Sequence, residues 1–267
     1  MNALRLYLRY VSISLRSQMQ YRASFLMQSF AHFLITGSEF LGLAAVFQRF
    51  GQIKGWTLAE VGLFYGMISL AFALAEAVPR GFDRFGQLVQ SGDFDRVLLR
   101  PRSAAFQIMG QEFQLMRVGR FAQGLMVLIW AARVLHLIWT VPKIVLLLAS
   151  ILGGACLFSG LFILQATICF WTIDSIEMVN CTTYGGVEAA QFPLTIYRPW
   201  FRQIFVFVIP LATINYLPAH AILSRPETTL GAPVWAEYAS PLVGILFLVI
   251  CLQAWQLGVR HYRSTGS

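Results

Sequence analysis

The sequence predicts an all-α polytopic membrane protein, with six transmembrane helices and an N-terminal amphipathic helix lying in the membrane surface. Three observations carry this reading. Of 267 residues, 57% are hydrophobic and 12% charged, against roughly 45–50% and 25% in soluble domains. So little charge cannot cover a soluble body of this size, and the mean hydropathy of +0.64 agrees. Apolar runs of about 20 residues, enough to cross about 30 Å of hydrocarbon, recur six times. The basic residues fall between these runs in unequal shares, which is a signature of membrane orientation. The net charge of +8 is accounted for in this way and does not call for nucleic acid.

Residues 1–22 form the first unit. Arg5, Arg9, Ser12 and Arg16 recur at helical spacing on one narrow face, with leucines, Val11 and Ile13 filling the sides. A basic-faced amphipathic helix of this kind lies among lipid headgroups; the alternative is a loosely ordered end of the first span. Residues 23–262 form the six-span domain, and 263–267 a cytoplasmic tail. The spans fall at about 24–47, 58–78, 115–135, 143–171, 203–222 and 238–259. The first run exceeds a signal peptide's apolar region of about 7–15 residues. An even number of spans puts both termini on one side. If that side is cytoplasmic, the inner segments 1–22, 79–103, 173–202 and 260–267 hold thirteen arginines, and the outer segments 49–57, 131–143 and 223–237 hold five basic residues. This asymmetry places both termini inside.

The second span carries Gly62, Gly66, Ser69, Ala73 and Ala77, a small-residue face suited to close helix approach, either within the chain or between two chains. The third helix is expected to run unbroken from just after Pro101 past Leu135, about 50 Å at 1.5 Å per residue. Its first turns then stand outside the hydrocarbon, with Gln107, Gln111 and Gln114 on one face. The segment 173–202 reads as a short amphipathic helix and an irregular entry into the fifth span, which Pro210 and Pro218 kink or shorten. The outer segment 223–237 is followed closely by Pro241, and the stretch Ser224–Pro241, with three prolines and Trp235, is expected to dip back into the interface. Trp56, Trp130, Trp139, Trp200 and Trp235 read as an interfacial belt.

Enzyme chemistry finds no support. The sequence has no phosphate-cradling G-x-x-x-x-G-K-[ST] loop, no HExxH and no GxSxG. Its four histidines are scattered, so no catalytic residue and no metal ligand is assigned. The four cysteines lack CxxC spacing and read as small apolar packing residues. Ionisable residues inside spans default to functional roles. Glu39 in the first span, with Gln111 and Gln114, is therefore a candidate pathway residue; an interhelical hydrogen bond or a pair with a partner helix explains Glu39 equally well. Glu76 reads as a hinge or interface ion pair.

The longest polar interval is Arg80–Pro101, with Arg80, Arg84, Arg96 and Arg100 set against Asp83, Asp93 and Asp95. Its run Ser91-Gly92-Asp93-Phe94-Asp95-Arg96-Val97-Leu98-Leu99-Arg100-Pro101 resembles the SGxxDxxLLRP signature of membrane subunits in type-2 ATP-binding-cassette exporters, and most of all the small six-span bacterial permeases often encoded in pairs. The later run Phe192–Arg202, continuing through Pro210 to Ala219, is similar to the same family's fifth-span entry. The resemblance implies a permease of the bacterial inner membrane that moves a lipid-like, drug-like or glycoconjugate substrate. It also implies a second permease, identical or sister, and separate ATPase subunits that bind ATP and magnesium, leaving no cofactor in this chain. Carried over by position, Gly86, Gly92, Asp93, Phe94, Asp95, Arg96, Leu98, Arg100 and Pro101 would contact the ATPase. Asp93, Asp95, Arg96 and Arg100 suit charge-assisted bonds, and Phe82, Phe85, Phe94, Val97 and Leu98 would supply apolar anchors. Against this stand an ion-driven secondary transporter, which places polar groups at the midplane, and a non-transporting scaffold.

Overall fold

The structure is a computed structural model that describes residues 3–172, 176–225, 231 and 233–262, with side chains from Arg5 onward and outside 173–182. The tail 263–267 and parts of the segments 173–202 and 223–237 lie outside the described residues. The described secondary structure is helical: α1 (Ala3–Gln20), α2 (Arg22–Phe50) and α3 (Leu58–Ala77) are followed by three short helices, α4 (Arg80–Asp83), α5 (Phe85–Gln90) and α6 (Phe94–Leu98). Then come α7 (Ala104–Met109), α8 (Val118–Val134), α9 (Val141–Ile168) and α10 (Ile176–Ala190). The chain ends with α11 (Pro199–Gln203), α12 (Leu217–Leu223), α13 (Val234–Ala239) and α14 (Leu242–His261).

The most buried helix, α3, forms the centre of the bundle. Its N-terminus is fixed by a capping box, in which the Thr57 side chain accepts from the Glu60 amide and the Glu60 carboxylate accepts from the Thr57 amide. Added Cβ atoms on Gly62 and Gly66 would press on Trp130, Ala131 and Leu128 of α8. The small-residue face therefore seats α8 of the same chain, antiparallel and at close range. On another side Ala71 meets Gly154, and Phe72 packs edge-on to Phe158 of α9 at 5.1 Å. Gly153 and Gly244 bring α9 and α14 into backbone contact, so these two helices run parallel. The more peripheral α2 touches α3 through Tyr65, whose hydroxyl donates to the Thr36 carbonyl at 2.7 Å.

Two expectations are corrected. The third helix is not continuous. α7 ends at Gly110, the chain runs irregularly through Gln114, and a 3-10 turn at Leu115–Arg117 leads into α8. The break is held by α1. The Ser14 hydroxyl donates to the Phe113 carbonyl at 3.0 Å, the Leu115 amide donates to Gln18 Oε1 at 3.0 Å, and Tyr10 lies where a Gly110 side chain would stand. These bonds compete with helix propagation at 110–115, and they pin α1 to the end of the bundle that carries residues 80–102.

The fifth crossing is also displaced. Residues 199–223 are apolar enough to span, but they bend by 87° between Val208 and Ala212, at Pro210 and between two π-helical turns, Ile204–Val208 and Ala212–Tyr216. Both ends of this hairpin lie at the 51–57 end of the bundle. On the entry side, Lys54 donates to the Thr195 carbonyl at 3.1 Å and Trp56 Nε1 to Thr195 Oγ1 at 2.8 Å. On the exit side, Lys143 donates to the Ile222 carbonyl at 2.7 Å, and Arg225 pairs with Glu60 while lying 3.8 Å over the Trp56 ring. The segment is thus re-entrant. The crossing is made by α10, which starts beyond Phe170 at the 80–102 end, sets Tyr184 edge-on to Phe72 at 5.5 Å and reaches the clamp at Thr195. Its fifteen residues rise about 22 Å, and residues 191–196 complete the passage. Six crossings remain, in the form of five long apolar helices and α10. Arg198 and Arg202, counted above as inner, move to the 51–57 end. Trp56, expected in the belt, is buried as part of the clamp.

A cysteine placed at Thr195 is expected to react with a membrane-impermeant maleimide from the same side as one at Lys54, and from the opposite side to one at Ser91. Labelling of Thr195 from the Ser91 side would make 199–223 a simple span again.

Candidate functional site

The site is the segment 79–102, between α3 and α7. Its inward face is aromatic. Phe82, Phe85 and Phe94 are buried and meet the lower ends of α9 and α14. Phe85 lies 4.9 Å from Phe94, 4.8 Å from Trp255 and 5.0 Å from Phe170, and Phe94 lies 4.9 Å from Tyr262. Most of these contacts are edge-to-face, the arrangement aromatic quadrupoles favour at about 0.5–1.5 kcal/mol per pair beyond burial. Gly92 takes φ +72°, a left-handed conformation that glycine adopts without strain, and so turns the chain from α5 into α6. Gln107 then donates to the Val97 and Arg102 carbonyls at 3.0 and 2.9 Å, closing the segment against α7.

The outward face is polar, with two exposed apolar residues, Leu98 and Leu99. Ser91 donates to Asp93 at 2.9 Å, and Asp93 pairs with Arg96 at 3.1 Å. Both charged groups are open to solvent, so the pair itself contributes little stability and is free to exchange partners. Leu99 is 85% exposed beside Arg100 and Pro101. A cleft of about 490 Å³, lined by Arg84, Gln87, Ser91, Asp93 and Glu112 among others, opens beside this rim.

Behind the rim runs a chain of charged and polar groups. Glu76, 1% exposed at the foot of α3, faces Arg117 at 3.2 Å and Arg120 at 3.8 Å. Arg117 donates to Gln114 at 3.2 Å, Gln114 to Glu112 at 3.0 Å, and Glu112 pairs with Arg84 at 3.3 Å. A second branch joins Asp83 to Arg80 at 2.9 Å and Arg80 to the Tyr184 hydroxyl of α10 at 3.3 Å. Burial works against the charge on Arg80, but the Tyr184 hydroxyl and the Asp83 carboxylate outweigh it and hold the guanidinium above its ordinary range. The segment is therefore wired to α3, α8 and α10 at once.

The structure sorts the residues singled out in the sequence. Gly92, Asp93, Asp95, Arg96, Leu98, Arg100 and Pro101 share the outward side or its edge, and Arg5, Arg9 and Arg16 are exposed along α1. Gly86 and Phe94, expected at the contact surface, are buried; with Phe82, Phe85 and Val97 they anchor the segment to its own bundle, because aromatic area at the end of α9 and α14 needs covering. Leu99, not singled out as a contact, is more exposed than Leu98 beside it. Gln111 and Gln114 line one cleft of about 600 Å³ beside α1, together with Gln107. Gln111 is exposed at the 80–102 end, and Gln114 is buried in the ion-pair chain, because α7 stops before them. Glu39 lies on the uncovered side of α2, within electrostatic range of Arg120 and Glu188. The roles of Arg117, Arg120 and Glu112 were missed. The available signal was three charges within nine residues at the start of an apolar run, facing one acidic residue at the end of the preceding span.

These features define a polytopic membrane domain with a rigid, polar-faced platform between its second and third spans. The model of the ABC-2 family transporter protein family matches residues 33–266, and the chain belongs to that family. It is thus the permease component of an ABC transporter. No curated protein and no solved structure matches the chain.

Removing one member of a buried ion pair costs about 3–5 kcal/mol. Glu76→Gln leaves Arg117 and Arg120 facing each other and is expected to lower stability by about that much, with partial recovery when Arg117→Met is added. Thermal unfolding of the purified protein in nanodiscs checks this, and an unchanged transition for Glu76→Gln contradicts it.

Proposed function

We propose that this permease subunit belongs to an ATP-driven exporter, and that separate ATPase subunits dock on the outward face of residues 87–101. The observation that carries this reading is the two-sided construction of the segment. An exchangeable Asp93–Arg96 pair and exposed Leu99 face away from the bundle, while Phe85 and Phe94 on the other side are locked into α9 and α14. A solvated loop that only set topology would not need an aromatic base. An ion-driven carrier leaves the platform unexplained.

On this reading the 80–102 end is cytoplasmic, both termini lie inside the bacterial inner membrane, and α1 rests among the inner headgroups. ATP and magnesium are held by the partner. Approach of two ATPases moves the platform as one piece, and the Glu76–Arg117 and Arg80–Tyr184 connections pass that movement to α3, α8 and α10. The substrate shifts the equilibrium only by binding the two arrangements differently. A second permease, identical or sister, covers the open side of α2 and α10, where Glu39 and Glu188 are exposed; the space between the two chains carries a lipid-like, drug-like or glycoconjugate substrate, with Glu39 as a contact.

Asp93→Arg, Arg96→Glu and Leu99→Asp are expected to abolish co-isolation of a P-loop ATPase from solubilised membranes while leaving yield and melting of the permease unchanged. Phe94→Ala is expected to do the converse first, lowering stability by about 3–5 kcal/mol. Full ATPase recovery with all three surface variants removes the docking assignment.

A further inference from the structure

An apolar cleft of about 550 Å³ lies on the flank of the bundle, away from the platform's outward face. Its floor is α9, where Ala155, Cys156 and Ser159 present small side chains at helical spacing. Phe82 and Val78 form one wall, and Leu248 and Leu252 of α14 form the other. The floor's one hydroxyl is already used, Ser159 donating to the Ala155 carbonyl at 2.6 Å, and the Cys156 thiol is a weak donor. The cleft thus offers a ligand apolar contact and no strong hydrogen-bonding group along its length.

Its position fixes what can fill it. Along α9 the lining runs from Leu152, 59% exposed, to buried Ile163. Eleven residues at 1.5 Å each give about 16 Å. One leaflet of hydrocarbon, half of about 30 Å, is about 15 Å deep. The lower rim is Ser103, at the level where α7 begins, with exposed Arg102 next to it in the chain. An occupant with an anionic head at that rim and one leaflet's length of hydrocarbon therefore matches both the charge and the depth. A void of this size left empty forfeits the dispersion contacts of every lining atom, and water gains no partners there.

We propose that this cleft is a lipid site, holding one acyl chain of a glycerophospholipid from the leaflet at the 80–102 end. The chain would lie with its headgroup beside Arg102 and its methyl end near Leu152. It would be wedged between the two flanks of the platform, Val78–Phe82 and Ala105–Met109, and the α9–α14 pair. The proposal rests on the membrane-spanning fold alone and stands whether or not an ATPase docks on the platform.

The test uses the full chain in vesicles of phosphatidylethanolamine and phosphatidylglycerol, doped with a phosphatidylethanolamine carrying a diazirine midway along one acyl chain. Photolysis and peptide mass spectrometry are expected to place adducts on Ala155–Ser159 and Leu248–Leu252 several-fold above those on Leu148 and Ile245, which are exposed on the same two helices. Ala155→Phe, or the milder Ala155→Val with Ser159→Val, fills the cleft and is expected to cut the cleft adducts while leaving those at Leu148 unchanged. Adducts spread evenly along the exposed faces of α9 and α14 overturn the proposal, and the wild-type map decides this even if a filled variant fails to fold. A photoreactive residue at Leu152 that links to a second copy of the chain rather than to lipid also overturns it.

Discussion

A carboxylate with 1% exposure at the foot of a membrane helix persists only beside a compensating charge, and Glu76 finds two in Arg117 and Arg120. The energetic cost of withdrawing such charges from water is several kcal/mol per ion, and it is offset only when geometry and further hydrogen bonds satisfy the remaining atoms. A chain of bonds leaves Arg117, passes through Gln114 and Glu112, and ends on Arg84 in the platform, while the two Glu76 oxygens have, among the described residues, no hydrogen-bond partner beyond their ion pairs and so depend on the two arginines. The pairing fixes where α8 begins, because Arg117 and Arg120 cannot shift along the helix without leaving Glu76 alone. It also fixes the register of α8 on Gly62 and Gly66, since an antiparallel helix anchored at one end has its contacts set at the other. The platform's attitude to the bundle follows from the same constraint.

The broad architecture was legible because the bilayer imposes a coarse rule that composition obeys directly. A run of 20 apolar residues has few other fates, and α2, α3, α8, α9 and α14 were placed within a few residues of their observed bounds. The errors arose where that rule and local chemistry diverge. α10 carries Glu188, paired glycines and two threonines, so it lacks the hydropathy of a span, yet it crosses because α3 and α9 cover one side of it. Residues 199–223 are apolar enough to span but turn back, because Pro210 removes a backbone donor in mid-run and Lys54, Lys143 and Arg225 hold both ends at one surface. A hydropathy profile registers neither cover from neighbouring helices nor a clamp built from residues 79 to 165 positions apart.

The polar segment was half legible. Its charge pattern identified an outward face, and Asp93, Arg96 and Arg100 lie on it. Its aromatic residues were misassigned because a Phe in a polar loop reads equally as an anchor for a partner or for the protein's own core. The deciding information was the set of aromatics at Phe170, Trp255 and Tyr262, far away in sequence and complementary in space. Gln107, Gln111 and Gln114 do meet at one cleft, but not as the face of one helix. Their common face required a continuous helix, and the hydrogen bonds of Ser14 and Gln18 to residues 113 and 115 replace the helical pattern there.

The two ends of the bundle are built for different tasks. At the 51–57 end directed bonds, among them Trp56 to Thr195, Arg225 to Glu60 and Lys143 to the Ile222 carbonyl, surround a buried aromatic cluster of Trp56, Phe64 and Tyr216. They join separate elements at points, and each is broken by a small displacement. At the 80–102 end the contacts are broad aromatic faces and a branched ion-pair chain, which resist displacement and move as a body. The platform therefore has a continuous path of contacts into α3, α8 and α10. Under the proposed docking of an ATPase, the re-entrant hairpin 199–223 is the element suited to respond, because its helix is interrupted at Pro210 between two π-helical turns while its exit half, Tyr216–Ile222, stays buried in the bundle.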